Sequence, residues 1–188
     1  CMELKKLHHE HHSNAGPILS DVILGGQDGL VNVLGIVLGV GIATQDPWIV
    51  IVAGLAATFA ESLSMAAVAY TSTKASKDFY ESEKMREIKE IEQVPETEKA
   101  EIKEIFSNWG FNEKDSQELT QKFSSNKKAW LALMMQHELH LEDGAEKNPV
   151  KSGIIVGASA FVGSVIPLLP ILLLGRVALI ESLIFSLA

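Results

Sequence analysis

Residues 17–44 read PILSDVILGGQDGLVNVLGIVLGVGIAT. This stretch is longer than the roughly 20 mostly apolar residues that a helix needs to cross the core of a bilayer. Only two charged residues, Asp21 and Asp28, interrupt it, and Pro17 suits the first turn of a helix. The sequence therefore predicts a membrane-spanning helix, span one, over residues 17–44.

Two further apolar stretches predict further spans. Residues 48–72, WIVIVAGLAATFAESLSMAAVAYTS, follow the polar turn 45–47 and predict span two, which returns antiparallel to span one. Residues 153–175, GIIVGASAFVGSVIPLLPILLLG, predict span three, since prolines are tolerated inside membrane helices. Residues 176–188 begin a fourth apolar helix of about 20 Å, too short for a bilayer core of about 30 Å. We interpret it as the start of an incomplete span.

Charge is concentrated between spans two and three. Residues 74–147 hold 17 acidic and 12 basic residues, whereas residues 16–72 hold four charged residues and residues 152–188 hold two. The net charge is −8, no basic stripe is visible, and aromatic residues make up only 6% of the chain. These features exclude nucleic acid as the expected partner. Membrane lipid is the expected surroundings of the apolar blocks.

The pattern predicts an all-α membrane protein, with antiparallel transmembrane helices and a cytoplasmic helical domain inserted between spans two and three. Basic residues that flank the spans place the N-terminus and the charged block in the cytoplasm, because positive charge favours that side. These residues are Lys5, Lys6, Lys74, Lys77, Lys84, Arg86, Lys147 and Lys151. The predicted regions are a polar, His-rich tail (1–16), spans one and two (17–73), the charged domain (74–147), and span three with the start of span four (148–188).

The charged block predicts four helices. The first continues span two through residues 74–92 and breaks at Val94-Pro95, because proline disfavours helix at the preceding residue. The second opens at Thr97 and ends near Asn108–Gly110. The third begins at Asn112 or Asp115 and ends near Phe123. The last is the amphipathic stretch 127–142, KKAWLALMMQHELHLE.

Small residues are frequent in the spans. Gly35 with Gly39, and Gly153 with Gly157, form two GxxxG pairs that permit close approach of helices. Packing within one bundle is the favoured interpretation of each pair, and a dimer seam is the alternative.

Two carboxylates lie deep within the predicted spans. Asp28 lies about 16 Å beyond Pro17, and Glu61 lies at a comparable depth on span two. Such groups usually face a cavity, an ion or a proton path, so a purely structural contact is the less favoured alternative. Met65 lies one turn from Glu61, and its thioether with two carboxylates would suit a divalent transition metal. Packing is the stronger expectation for Met65 alone. For Asp21, an interfacial cap and a functional role are equally expected.

Glutamates recur at a spacing of three in the charged block. Glu87 and Glu90 share one helix face, and Glu98 and Glu101 share a face of the next helix. Facing helical carboxylates are how bundles build iron or manganese sites. Composition alone favours a solvated face, however, because Lys/Glu helices are usually exposed. Near the end of the block lie Met134, Met135 and Glu138; methionines of this kind usually pack in a core. The residues His8, His9, Glu10, His11 and His12 are expected to form a tail that binds metal weakly.

Four segments resemble the vacuolar iron transporter family in order and spacing. They are DVILGGQDGLVNVLGIVLGVG (21–41), AGLAATFAESLSMAAVAY (53–70), VPETEKAEIKEI (94–105) and AWLALMMQHELHLE (129–142). The resemblance implies a dimeric transporter of five spans that exchanges cytosolic Fe²⁺ for protons. This chain would lack the end of span four and all of span five.

The resemblance also implies roles for individual residues. Asp28 matches the translocation aspartate and Met65 the methionine of span two. The implied cytoplasmic metal ligands reverse the preference for a solvated face; they are Glu87, Glu90, Glu98, Glu101, Met134, Met135 and Glu138. Plant-type members carry a transport glutamate where this chain has Ala57, and Glu61, one turn on, is the expected substitute.

The favoured function is therefore export of Fe²⁺ from the cytosol by a homodimer, in exchange for protons, with Mn²⁺, Co²⁺ or Zn²⁺ as substitute ions. The membrane would be the cell membrane in a prokaryote and a vacuolar-type membrane in a eukaryote. One alternative is a membrane-anchored di-iron carboxylate oxidase. No histidine follows Glu87, Glu90, Glu98 or Glu101 at the Glu-x-x-His spacing, which disfavours it. Another alternative is a metal-buffering domain, which leaves Asp28 and Glu61 unexplained.

Overall fold

The computed structural model describes residues 15–141, 148–175, 184 and 186–187, and every regular element in this part of the chain is helical. The all-α expectation is therefore confirmed. The predictions for the tail His8–His12 and for most of residues 176–188 fall outside the described residues. The α-helices are α1 (Ala15–Thr44), α2 (Pro47–Gln93), α3 (Pro95–Asn108), α4 (Glu113–Ser124), α5 (Lys127–Leu133), α6 (Pro149–Val165) and α7 (Leu169–Leu174).

Within the described residues, three helical stretches are long and apolar enough to cross a membrane. They are Ile18–Thr44, Pro47–Gln93 and Pro149–Leu174. The chain divides into two compact units, the first made of residues 1–71 with 149–188 and the second of residues 72–148. Helix α2 contributes its first part to one unit and its second part to the other.

The turn between α1 and α2 follows from three consecutive residues. Gln45 adopts a left-handed conformation with φ 52°, which ends α1. The Asp46 carboxylate then accepts a hydrogen bond of 2.9 Å from the backbone N–H of Trp48, and Pro47 occupies the first position of α2. An aspartate that satisfies a free N–H of the first turn, followed by proline, is a strong signal for the start of a helix.

In the first unit, α1 and α6 pack in parallel at close range. The Ser152 hydroxyl donates a hydrogen bond of 2.8 Å to Asp21, so Asp21 makes a contact between helices. One turn on, a methyl group at Gly25 would lie 2.2 Å from the Val156 carbonyl oxygen, and one at Gly29 would lie 2.2 Å from that of Ala160. Only glycine permits this approach.

The two predicted GxxxG pairs behave differently. Gly153 and Gly157 pack against Ala66 of α2, as the packing interpretation expects. Among the described residues no atom would lie within 4 Å of a methyl group at Gly35 or Gly39, so packing at this pair stays a prediction. The close α1 contact, at Gly25 and Gly29, lies about two to four turns earlier along the helix.

Replacing Gly25 with alanine is expected to destabilise the purified protein, because the added methyl group forces the α1 and α6 backbones apart. Overpacking of this kind costs about 1–3 kcal/mol. Thermal unfolding in detergent should show a lower Tm for Gly25→Ala, whereas Gly35→Ala on the same helix should unfold like the unmodified chain. Equal Tm values for the two variants would contradict the close contact.

The second unit has a small apolar core of its own. Its buried residues are Ile91, Ile102, Phe106, Trp130, Leu133 and Met134. Helix α3 begins at Pro95, two residues before the predicted Thr97, because proline fits the first helical position. The Asn112 side chain caps α4, accepting from the Asp115 N–H at 3.0 Å.

Two of the predicted helices, 127–142 and span three, are interrupted in the structure. The expected helix 127–142 is α-helical only to Leu133 and continues as a π-helical turn, Met134–Glu138. Its hydrogen bond from the Leu139 N–H to the Met134 carbonyl spans five residues. Span three begins at Pro149, and a 3₁₀ turn at Ile166–Leu168 separates α6 from α7, because proline lacks the N–H of a continuous ladder.

Candidate metal centre

Three glutamate carboxylates converge within the second unit. Glu87 lies on α2 and Glu98 on α3, on either side of the Val94–Pro95 turn, and Glu138 closes the π-helical turn. One oxygen from each of the three lies within 4.8 Å of the others. We call Glu87, Glu98 and Glu138 the carboxylate triad. The helical hairpin at Pro95 supplies Glu87 and Glu98, and the π-helical turn that follows α5 supplies Glu138.

Two triad members are buried without full hydrogen bonding. Glu87 is 1% and Glu98 4% exposed, while Glu138 is exposed at the edge of the group. Glu87 Oε1 and Glu98 Oε2 have no hydrogen-bond partner among the described residues. Buried carboxylates are normally paired or bound to metal, because an isolated charge is costly to bury. A cation held by the triad would satisfy both oxygens.

Burial also raises the pKa values of the triad. Desolvation, followed by the hydrogen bond to Glu87 and the charge of Glu87, raises the pKa of Glu98 to about 8. Desolvation, followed by the charge of Glu101, raises the pKa of Glu138 to about 7. The pKa of Glu87 is also raised by burial, although its hydrogen bond with Glu98 works in the opposite direction. A pKa of about 8 keeps Glu98 largely protonated near neutral pH when no cation is bound.

The other predicted ligands are two half-buried glutamates, Glu90 and Glu101, and two buried methionines, Met134 and Met135. Glu90 and Glu101 are half-buried, and their negative charges raise the pKa of Glu98 and of Glu138. Glu90 also lies 3.7 Å from the Arg86 guanidinium. Among the methionines, Met134 is fully buried and packs in the apolar core, and Met135 is 3% exposed. The core interpretation of Met134 from its sequence context is therefore confirmed by its packing.

A second polar group lies within the membrane-spanning helices. The Glu61 carboxyl on α2 lies near two α1 side chains, Asp28 and Asn32. Met65, one turn from Glu61 on α2, is half-buried. Ala57 packs against the apolar cluster around Val33 and Val37, so Glu61 rather than position 57 brings a carboxylate to Asp28.

Sequence reasoning missed Asn32 as a member of this group. Its spacing of four from Asp28 was the available signal, because residues four apart share a helix face. Two hydroxyls of α2 bond within their own helix: Ser62 donates to the Thr58 carbonyl at 2.6 Å, and Thr58 donates to the Gly54 carbonyl at 2.8 Å.

The donor set of the triad suits a hard or borderline divalent cation. Carboxylate oxygens accept Fe²⁺ and Mn²⁺, and the described cluster contains no histidine. Because the carboxyl groups must lose their protons to bind, metal and protons compete for the triad. A metal ion held by the triad would therefore bind more tightly as the pH rises.

Comparison with known proteins finds relatives that agree with one another. The model of the VIT family matches residues 19–188. "Vacuolar iron transporter 1" of Arabidopsis thaliana is 35% identical over 182 residues, which cover 96% of this chain and 73% of that protein. "Vacuolar iron transporter 2" of rice is 36% identical over 163 residues, 87% of this chain and 66% of that protein.

A protein from an organism that is not a plant gives a similar match. "Vacuolar iron transporter" of Plasmodium falciparum is 37% identical over 164 residues, which cover 86% of this chain and 60% of that protein. The chain thus spans between about three fifths and three quarters of the length of these relatives. Because the family model covers most of the chain, this protein belongs to the VIT family, a family of iron transporters rather than of enzymes.

Proposed function

We propose that the chain carries Fe²⁺ out of the cytosol across a membrane, in exchange for protons. The observation that carries the proposal is the carboxylate triad, which offers oxygens of buried Glu87 and Glu98 that have no other partner among the described residues. A surface cluster of glutamates would remain solvated and hydrogen-bonded to water. The names of the relatives point to iron as the cargo.

In this proposal the second unit captures the metal on the cytosolic side. The triad supplies the oxygen ligands, Glu90 and Glu101 add negative potential, and the thioethers of Met134 and Met135 shift the preference from Ca²⁺ toward softer transition metals. Mn²⁺, Co²⁺ and Zn²⁺ are expected to bind as substitutes. The basic residues that flank the spans support a cytoplasmic position for this unit and for the N-terminus.

The transport step would use Asp28, Glu61 and Met65. Each carboxylate holds either a proton or the metal, so movement of Fe²⁺ in one direction returns protons in the other. A pathway between the two subunits of a homodimer is part of the proposal. The open glycines Gly35 and Gly39 lie further along the same helix as Asp28 and leave room for a second copy.

The test is transport by the full-length protein in liposomes that enclose a pH-sensitive dye. Anaerobic addition of Fe²⁺ outside is expected to produce Fe²⁺ uptake together with alkalinisation of the lumen, since protons leave as iron enters. Liposomes without protein, and Mg²⁺ in place of Fe²⁺, serve as controls. Absence of uptake would refute transport, and uptake with an unchanged lumen pH would refute the exchange.

A further inference from the structure

Arg86 lies between two acidic residues of α2, next in sequence to the triad member Glu87. Its guanidinium is 2.8 Å from the Glu83 carboxylate, three residues earlier, and 3.7 Å from the Glu90 carboxylate, four residues later. Residues three and four apart share a helix face, so Glu83 and Glu90 project from the same face of α2 as Glu87. A positive charge is therefore held between acidic residues on the helix face that contributes to the metal centre.

The two contacts of Arg86 differ in strength. The Glu83 side chain is only 16% exposed, and 2.8 Å is the distance of a charge-assisted hydrogen bond. The Glu90 side chain is 42% exposed, and 3.7 Å is too long for a hydrogen bond. Arg86 is thus anchored to Glu83 and only loosely paired with Glu90, so Glu90 can be drawn away while the pair of Glu83 and Arg86 stays intact.

The triad leaves room for a further ligand of this kind. Its three carboxylates include two buried oxygens, Glu87 Oε1 and Glu98 Oε2, that have no hydrogen-bond partner among the described residues. A divalent transition metal ion with oxygen ligands takes more than three of them. Glu90, one turn from Glu87, can supply the next one, but a metal ion has to compete with Arg86 for it.

The charge of Arg86 also acts on the bound ion. A fixed positive charge repels a divalent cation about twice as strongly as it repels a proton at the same place. Burial raises the pKa of Glu138 to about 7, and the charge of Arg86 opposes that rise. Arg86 therefore disfavours both ions at the centre and disfavours the metal more. A carrier has to release its cargo, and tight binding is mostly slow release.

We propose that Glu83 and Arg86 form a tethered counter-ion that withholds Glu90 from the metal centre and keeps the affinity of the carboxylate triad for divalent transition metal ions low enough for release. Arg86 is in this sense a positioning residue that acts through Glu90. The inference rests on the proposed function, because it concerns the regulation of the same site. It predicts that removing Arg86 strengthens metal binding, whereas mere damage to the fold would weaken it.

The experiment measures Mn²⁺ binding by electron paramagnetic resonance in full-length protein that carries Asp28→Asn and Glu61→Gln, so that the triad is observed alone. In this parent, Arg86→Gln is expected to lower the Mn²⁺ dissociation constant about tenfold. Lys89→Gln removes the same charge from an exposed position of α2 and is the matched control, which should bind like the parent. Measurement at pH 8, above the pKa of Glu138, limits competition from protons.

Two further variants test the two contacts. Glu90→Gln should weaken Mn²⁺ binding more in the Arg86→Gln protein than in the parent, because Glu90 is free to bind the metal only when Arg86 is gone. Glu83→Gln releases Arg86 from its anchor, so it should weaken Mn²⁺ binding more than Glu81→Gln, which removes a charge from an exposed position of the same helix.

The outcomes that contradict the proposal are separate from those that contradict transport. Unchanged or weaker Mn²⁺ binding by Arg86→Gln, an equal gain in Lys89→Gln, an equal effect of Glu90→Gln in both proteins, or no Mn²⁺ binding by the parent would each overturn it. In liposomes, Arg86→Gln alone should lower both the Fe²⁺ concentration for half-maximal uptake and the maximal rate. Failure of the unmodified protein to transport Fe²⁺ would instead refute the proposed function, and Mn²⁺ binding would still decide the role of Arg86.

Discussion

Replacing Asp28 with alanine is expected to abolish Fe²⁺ uptake by the full-length protein in liposomes. Asp28 on α1 and Glu61 on α2 are neighbouring acidic residues inside the spans. Without Asp28, a divalent cation meets a single carboxylate in surroundings that strongly disfavour charge. Uptake should therefore fall to the rate of liposomes without protein, while iron binding by the carboxylate triad in the second unit stays intact.

Two variants make this test specific. Asp28→Asn keeps the shape of the side chain and removes its charge, so it should lose transport as completely as Asp28→Ala. Asp21→Asn is the matched control on the same helix, because an amide oxygen can still accept the hydrogen bond from Ser152. Normal Fe²⁺ uptake by Asp28→Ala would refute the pathway. An equal loss of uptake in Asp21→Asn would show that uptake depends on the acidic residues of α1 in general and not on Asp28 in particular.

Much of the fold was predictable because its determinants are local. The length of each apolar stretch decides whether a helix can cross a bilayer, and this predicted the three spans without reference to any other residue. Proline then predicted the break at Val94-Pro95, and Asn112 was one of the two predicted starts of α4. The π-helical turn at Met134–Glu138 was missed, because the apolar pattern of a helix is the same whichever backbone ladder forms.

The metal centre was less predictable, because burial depends on contacts between distant residues. Glu87 and Glu90 are equivalent by composition and spacing, yet Glu87 is buried and Glu90 is half-buried beside Arg86. Composition alone favoured a solvated face, and that interpretation is wrong for Glu87 and Glu98. The resemblance implies seven ligands, and the structure brings three of them together, Glu87, Glu98 and Glu138.

Raising the pH should destabilise the second unit when no metal is present. The pKa of Glu98 in the folded protein is about 8 and that of Glu138 about 7, both above the ordinary value of 4.5. Between pH 4.5 and 8 the folded state therefore holds more protons than the unfolded state, so the free energy of unfolding falls as the pH rises. We expect the Tm to fall by about 5 °C or more between pH 6 and pH 8.

Fluorescence can report on this unit within the full chain. Two of the three tryptophans, Trp109 and Trp130, belong to residues 72–148, so Trp48→Phe leaves only reporters from the second unit. In that background Glu98→Gln should flatten the pH dependence and raise the Tm at pH 8, because a neutral amide replaces the buried acid. Glu104→Gln, an exposed position of the same helix, should behave like the parent.

Metal should reverse the effect of pH in the parent but not in Glu98→Gln. At pH 8, near the pKa of Glu98, the triad has lost much of its bound protons, so added Mn²⁺ takes their place and raises the Tm. The dissociation constant of Mn²⁺ should fall about tenfold per pH unit for each proton that the metal displaces. This holds while the pH is below the pKa of the carboxyl group that loses the proton. A metal-free Tm that does not change between pH 6 and pH 8 would refute the buried, protonated state of Glu98. A Tm that rises equally with Mn²⁺ in Glu98→Gln would refute the triad as the binding site, because that variant lacks one of the three carboxylates of the triad.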